Sequence, residues 1–312
     1  MSPLEQPQTD SSKITAEDVM NIVIEHAEKA KIPANELDVR GHRFETQIVL
    51  LNPVRLSLPA EVAKLAKMID HTYLTMTPDD PLADLEKVIT LCREAGQYGF
   101  TSVCVRPNHV ALASRLLKYW QINDVAVCAV IDFPEKKGDI AGAKSPDEKS
   151  AEAAIAQLNG ATEFDVVLDY QAVLREDSEC ARQGVYAVCN HVKDRDPRAI
   201  VKVIMETALL QNWGGGIAVS NACDATIDGG ADFGKTSTGF ALEGGATVMD
   251  VYHLSELLHP CGVQVKASGG IRGLKTVELM RHAGPEDHGA DRLGLSSSLA
   301  IIKEKMEQIG KV

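Results

Sequence analysis

From about residue 65 onward, short β-rich runs alternate with longer amphipathic stretches, and this alternation limits the fold more than any other feature of the chain. The β-rich runs are Met68–Leu74, Ser102–Val105, Val125–Phe133, Glu163–Tyr170, Ile200–Glu206, Asp232–Thr236, Val263–Ala267 and Arg292–Ser296. Helical patterning between them covers Pro81–Ala95, Val110–Tyr119, Pro146–Leu158, Ala218–Asp228, Met249–Leu258 and Thr276–His282. Strands separated by helices predict parallel βαβ units with right-handed crossovers. Such units close into a barrel or spread into an open doubly wound sheet.

Two features favour the barrel. Polar residues gather where the strands end: Asp70-His-Thr72, Asp165 to Asp169, Lys235-Thr-Ser-Thr238, Lys266-Ala-Ser268 and Ser296-Ser297. In a barrel these ends surround one mouth. The Gly-x-Gly-x-x-Gly fingerprint of a dinucleotide-binding sheet does not follow the first run. The expectation is an α/β protein, a (β/α)8 TIM barrel over residues 65–312, with an N-terminal helical extension.

That extension is expected to pack on the barrel over residues 13–64, after a disordered tail at 1–12. Thr15-Ala-Glu-Asp18 reads as a helix-starting capping box. Val19, Ile22, Val23, Ala27 and Ala30 follow at helical spacing. Pro33, Pro53 and Pro59 break the stretch from 32 to 60.

The net charge of −12 opposes nucleic acid and anionic lipid, so neither is an expected partner. No apolar run reaches the ~18 residues of a membrane span. The polar start, MSPLEQPQTD, does not resemble a secretory signal. Seven cysteines without a CxxC pair suit a reducing compartment, and a cytoplasmic location is expected. The nine histidines form no HExxH motif. No metal and no cofactor are therefore expected in the chemistry. The sequence does not give the oligomeric state and leaves room for a homodimer.

Lysine within a strand is unusual, because burying an unpaired ammonium is costly. Lys202, Lys235 and Lys266 occupy three successive strands. One alone reads as a snorkelling or edge residue; three converge in one cavity if the strands close into a barrel. Clustered cations and desolvation favour a neutral amine, and a neutral lysine attacks carbonyls to form an imine. Asp165 shares one strand face with Val167 and Asp169 by alternation. It can pair with a lysine and relay protons, or serve as a structural ion pair. Asp70 has the same two readings.

Phosphate binding is expected after the seventh and eighth strands, where barrels commonly hold it. Ser268-Gly-Gly-Ile-Arg272 supplies Gly269, Gly270 and Arg272, and Gly294-Leu-Ser-Ser297 supplies Gly294, Ser296 and Ser297. Cys104 reads first as a buried small hydrophobe and second as a thiol lining the pocket.

These residues resemble a known family. Asp-Phe-Gly-Lys-Thr-Ser-Thr-Gly (232–239) is similar to the Lys-Thr-Ser-Thr-Gly signature of deoxyribose-phosphate aldolases. Val-Lys-Ala-Ser-Gly-Gly-Ile-Arg (265–272) resembles their Lys-Pro-Ala-Gly-Gly-[Ile/Val]-Arg. Ile-Asp-His-Thr-Tyr-Leu (69–74), Val-Cys-Val-Arg-Pro (103–107), Glu-Phe-Asp-Val-Val (163–167) and Val-Lys-Val-Ile-Met-Glu-Thr (201–207) agree in order and spacing. The resemblance spans roughly residues 65–305.

It implies reversible cleavage of 2-deoxy-D-ribose 5-phosphate to D-glyceraldehyde 3-phosphate and acetaldehyde, with small phosphorylated sugars and aldehydes as partners. Lys235 would form the Schiff base. Lys266 would be the second lysine that keeps the nucleophile neutral and assists proton transfer. Asp165 would belong to the proton relay, with Lys202 in support. Thr238, Gly239, Gly269, Gly270, Ser296 and Ser297 would lie around the substrate and its phosphate. The chain departs from the pattern at Phe240, where many members carry a phosphate-holding lysine. Gly234 replaces an apolar residue and is expected to loosen local packing. The glycine-rich stretch at Gln211–Ile217 is a further departure.

A different class also fits one segment. Gly229-Gly-Ala-Asp-Phe-Gly-Lys-Thr236 matches the phosphate-cradling G-x-x-x-x-G-K-[ST] of nucleotide-binding proteins. That loop must lie between a strand and a helix, whereas Ala-Asp-Phe here reads as the strand itself. Within the barrel class, a related imine aldolase acting on another phosphosugar is the alternative.

Overall fold

The computed structural model describes residues 14–33, 41, 43–45, 48 and 52–310. The expected tail at 1–12 lies outside these residues. Eight parallel strands close into one barrel in chain order: β1 (Ile69–Tyr73), β2 (Ser102–Val105), β3 (Ala126–Ile131), β4 (Glu163–Val167), β5 (Ile200–Ile204), β6 (Phe233–Lys235), β7 (Gln264–Ser268) and β8 (Arg292–Leu295). β1 pairs with both β2 and β8, so no ladder edge is left open.

Helices alternate with the strands and cover the outside. The six patterned segments are all helical, and Ser178–Arg195 and Ser298–Ile309 complete the alternation. The core between the barrel and its helices is aliphatic: Val103, Val105, Val166, Val201, Val203, Val265 and Leu293 are fully buried. With 4% aromatic residues, its volume comes from branched side chains.

Strand β4 ends at Val167, three residues before the expected Tyr170. Asp169 is therefore not on the inner strand face. Its carboxylate instead accepts the Ala172 N–H at 2.9 Å and caps the short helix Tyr170–Leu174. The glycine-rich stretch lies inside a helical run, Thr207–Asp228, broken where Gly215 adopts φ 64.

Helix Ala16–Lys29 begins with the expected capping box: the Asp18 N–H donates to Thr15 Oγ1 at 3.2 Å and Asp18 Oδ2 accepts the Thr15 N–H at 2.7 Å. Its buried face, Val19, Ile22, Val23 and Ala27, joins the main core. Ala30 is exposed, because the helix stops there.

Gly234 does not loosen its surroundings. A Cβ at this position would meet Leu258 Cδ1 at 2.4 Å and Met205 Cε at 2.8 Å. Larger neighbours already fill the space that an apolar side chain takes up. Gly234→Val is expected to overpack the site and cost about 1–3 kcal/mol. A lowered thermal unfolding midpoint checks this; an unchanged or raised midpoint refutes it.

Candidate active site

The inner strand faces carry charge where a barrel ordinarily packs branched apolar side chains. Asp70 (β1), Glu163 and Asp165 (β4), Lys202 (β5), Lys235 (β6), Lys266 (β7) and Arg292 (β8) all point inward and are buried. Register explains the convergence: Asp165 is paired with Lys202, Lys235 with Lys266, and Lys266 with Arg292 on adjoining strands.

Asp165 is the hub. Its Oδ2 accepts from Lys235 Nζ at 2.7 Å and from Lys266 Nζ at 2.7 Å. Its Oδ1 accepts from Lys202 Nζ at 3.0 Å and from the Cys128 thiol at 3.1 Å. Asp70 Oδ2 holds Lys266 Nζ at 2.5 Å, and its Oδ1 accepts from Arg292 Nη1 and Ser102 Oγ, each at 2.7 Å. Glu163 closes the lower layer against Lys202 at 2.6 Å and Arg292 at 3.4 Å.

Burial alone would raise the Asp165 carboxyl, but the ammoniums of Lys202, Lys235 and Lys266 hold it well below the usual range. Asp70 is likewise lowered against its burial, by Lys266, Lys202 and Arg292. Burial would strip protons from Lys202 and Lys266, yet Asp165 leads the carboxylates that hold both above the ordinary lysine value. Asp165 therefore opposes deprotonation of Lys202 and Lys266. The balance across the network runs the other way. Lys202, Lys235, Lys266 and Arg292 face Asp70, Glu163 and Asp165, four cations against three anions among the described ion pairs. Losing one proton neutralises the cluster in a medium where net charge is expensive.

Only one of these residues reaches the open mouth. A cleft of about 250 Å³ at the C-terminal ends of the strands is lined by Lys235 together with Thr238, Gly239 and Phe240. Gly269, Gly270, Arg272, Gly294 and Ser296 form its other side. Asp70, Cys104, Asp165, Lys202 and Lys266 are fully buried beneath it. Ser297 is not part of the wall; it is the N-cap of helix Ser298–Ile309. Arg272 is exposed on the rim, and among the described lining residues it and Lys235 are the cations.

Backbone fills the seam beside this cleft. Gly269 has φ 91, and a Cβ there would meet Gly239 Cα, Gly245 Cα and Ser237 Cβ, each at 3.2 Å. The Gly269 carbonyl also accepts the Ala246 N–H at 3.1 Å. Phe240 packs edge-on against Phe133 at 5.0 Å and forms an apolar wall with Leu74 and Val130. The Arg106 guanidinium, 5.3 Å from Phe133 and 5.7 Å from Phe240, is held by the Leu74 and Pro134 carbonyls.

Cys104 is buried, with its sulfur 3.9 Å from Asp165 Oδ2. Glu163, Arg292 and Cys128 were not singled out from sequence. Glu163 is legible in retrospect, two residues before Asp165 on the same strand face. Glu206 is also new. It is buried at φ 59 and accepts the Thr238 N–H at 2.8 Å and the Thr238 hydroxyl at 2.5 Å. Burial raises its carboxyl. It fixes the loop that follows the Lys235 strand.

The nucleotide-loop match does not form that loop. Phe233–Lys235 is the strand, Gly229 ends a helix, and the next helix begins only at Val248.

The sequence model of the DeoC/LacD family aldolases matches residues 64–304. A deoxyribose-phosphate aldolase of Halalkalibacterium halodurans is 40% identical over 238 residues, covering 76% of this chain and 94% of that protein. One of Clostridium perfringens is 39% identical over 243 residues, 78% of this chain and 96% of the relative. The solved structure of the tetrameric deoxyribose phosphate aldolase from Aeropyrum pernix superposes with a TM-score of 0.66 at 32% identity, over 84% of this chain and 98% of that one. The closed barrel, its buried lysine cluster and these matches lead to one conclusion: the chain belongs to the DeoC/LacD aldolase family.

Proposed function

We propose that the chain reversibly cleaves 2-deoxy-D-ribose 5-phosphate to D-glyceraldehyde 3-phosphate and acetaldehyde, through an imine on Lys235. One observation carries the reading: Lys235 opens into the cleft while its Nζ shares a single carboxylate oxygen, Asp165 Oδ2, with buried Lys266. The relatives' activity supports the choice of substrate.

In this mechanism neutral Lys235 attacks the C1 aldehyde of the open-chain sugar. Water leaves, with Asp165 and Lys266 moving the protons, and an iminium forms. The C3 hydroxyl loses its proton through an Asp165-linked water, and the C2–C3 bond electrons flow into the iminium. Glyceraldehyde phosphate departs, the enamine is protonated at C2, and hydrolysis frees acetaldehyde and the amine. Lys202 keeps Asp165 ionised and in place.

The phosphate is assigned to Gly269, Gly270, Gly294 and Ser296, with Arg272 as its cation. Ser297 contributes through the start of helix Ser298–Ile309, whose free N–H groups favour an anion. Thr238 and Gly239 flank the carbon chain, and Asp70 holds Lys266 against Asp165. Cys104 acts as packing beneath the nucleophile. Since Phe240 supplies no charge, Arg272→Ala is expected to raise KM for the phosphorylated sugar about tenfold or more, with kcat little changed. Equal KM values would remove Arg272 from the site.

Borohydride reduction in the presence of deoxyribose 5-phosphate, followed by intact mass and peptide mapping, tests the proposal. An adduct on Lys235 is expected; no adduct, or no release of glyceraldehyde phosphate, refutes it. Metal independence belongs to the same reading, and activity surviving chelator treatment checks it. Cytoplasmic location is proposed from the cysteines, all free among the described residues. No described helix is long and apolar enough to cross a membrane. A homodimer is proposed as the assembly, and sedimentation equilibrium giving any other mass excludes it.

A further inference from the structure

At the end of the barrel opposite the cleft, the turns entering β7 and β8 bring together side chains with no part in the imine chemistry. His259 stands in the turn His259–Cys261 before β7; His288 and Asp291 precede β8. His259 Nε2 lies 2.9 Å from Asp291 Oδ2, and His288 Nε2 lies 2.8 Å from Asp291 Oδ1. The rings stack with centroids 4.2 Å apart and an 18° interplanar angle. One ligand atom from each residue falls within 4.8 Å of the others. The carboxylate is fixed independently, since Oδ2 also accepts the Val265 N–H at 2.8 Å. Asp291's own N–H donates to the Val265 carbonyl at 2.9 Å.

We propose that His259, His288 and Asp291 form a binding site for one divalent transition-metal ion of the zinc, cobalt or nickel type, clasping the entry turns of β7 and β8. Two imidazole nitrogens and a carboxylate oxygen are a donor set suited to these ions. In the stack the two Nε2 atoms face separate oxygens of Asp291, so binding turns the largely exposed His288 ring until both nitrogens and a carboxylate oxygen converge on one ion. The ion requires each neutral ring to carry its proton on Nδ1 and to present the Nε2 lone pair. Water completes the coordination. The other buried set, Cys104, Cys128 and Asp165, is a poor rival because three ammoniums already surround Asp165. The metal would act on the stability of the barrel floor and not on the reaction at the mouth.

The test uses the full chain, stripped with chelator and titrated with Co²⁺ under both calorimetry and visible spectroscopy. One ion per chain is expected, at micromolar affinity or tighter, with d–d bands and no thiolate-to-cobalt charge transfer. His288→Ala, whose ring is largely exposed, should keep the fold and aldol cleavage and weaken binding by at least ~10-fold. His259→Gln should do the same. Absence of saturable binding overturns the proposal. So does equal affinity in His288→Ala, or a charge-transfer band showing that a cysteine such as exposed Cys261 is the true ligand. Because the readout is metal affinity, the result is independent of whether Lys235 forms an imine.

Discussion

Lys235→Ala is expected to abolish both the borohydride-trapped adduct and the cleavage reaction, with kcat/KM falling by at least ~10⁴-fold, as when a covalent nucleophile is deleted. Three lysines surround Asp165, so the prediction concerns which amine reacts. Lys202 is pinned by Asp165 and Glu163 at 3.0 and 2.6 Å, and Lys266 by Asp70 and Asp165 at 2.5 and 2.7 Å. Both are sealed from the cleft. Lys235 has one carboxylate partner among the described ion pairs and borders the open space. A residual adduct in Lys235→Ala mapping to Lys266 would assign the nucleophile to β7 and overturn the geometry-based choice. Removing one cation also relaxes the four-to-three imbalance, so the variant should fold, and an unchanged circular dichroism spectrum checks that.

Lys266→Leu is the second large effect. It leaves three cations facing three carboxylates, and the remaining protons are then held more firmly. The reaction needs a neutral amine, removing a like charge makes loss of a proton from the cluster less favourable, and the acidic limb of the pH–rate profile moves upward. Activity on that limb is expected to fall ~10–100-fold. Activity should recover in part at alkaline pH. Asp70 keeps Arg292 at 2.7 Å and is not left as an unpaired buried charge. A variant whose limb stays in place would show that Lys266 serves only to carry protons.

The period of alternation was enough to reveal all eight strands, because a parallel barrel buries both strand faces and marks each strand with a dense apolar run. Boundaries were less legible where polar caps imitate strand alternation. Asp169 continues the two-residue rhythm of Asp165 and Val167 but is bound to the Ala172 N–H instead. Lys235, Lys266 and Asp165 stood out as charges inside apolar strands. Arg292 and Glu163 did not, since each sits at the first residue of its strand, where a charged residue usually faces solvent. Their inward direction depends on barrel closure, which sets Arg292 beside Asp70, 222 positions away. Gly234 was misread for a related reason. What fills its space comes from Leu258 and Met205, and sequence neighbours give no hint of either.

The contact of Gly239, Gly245 and Gly269, backbone against backbone, bears on how this mouth can be re-engineered. Three positions on two loops must stay without side chains together, so a mutation library that randomises them singly will yield mostly collapsed or unfolded clones. Diversity placed at Phe240, Leu74 and Thr75, which line the cleft, leaves those glycine contacts untouched and is expected to change which aldehydes are accepted.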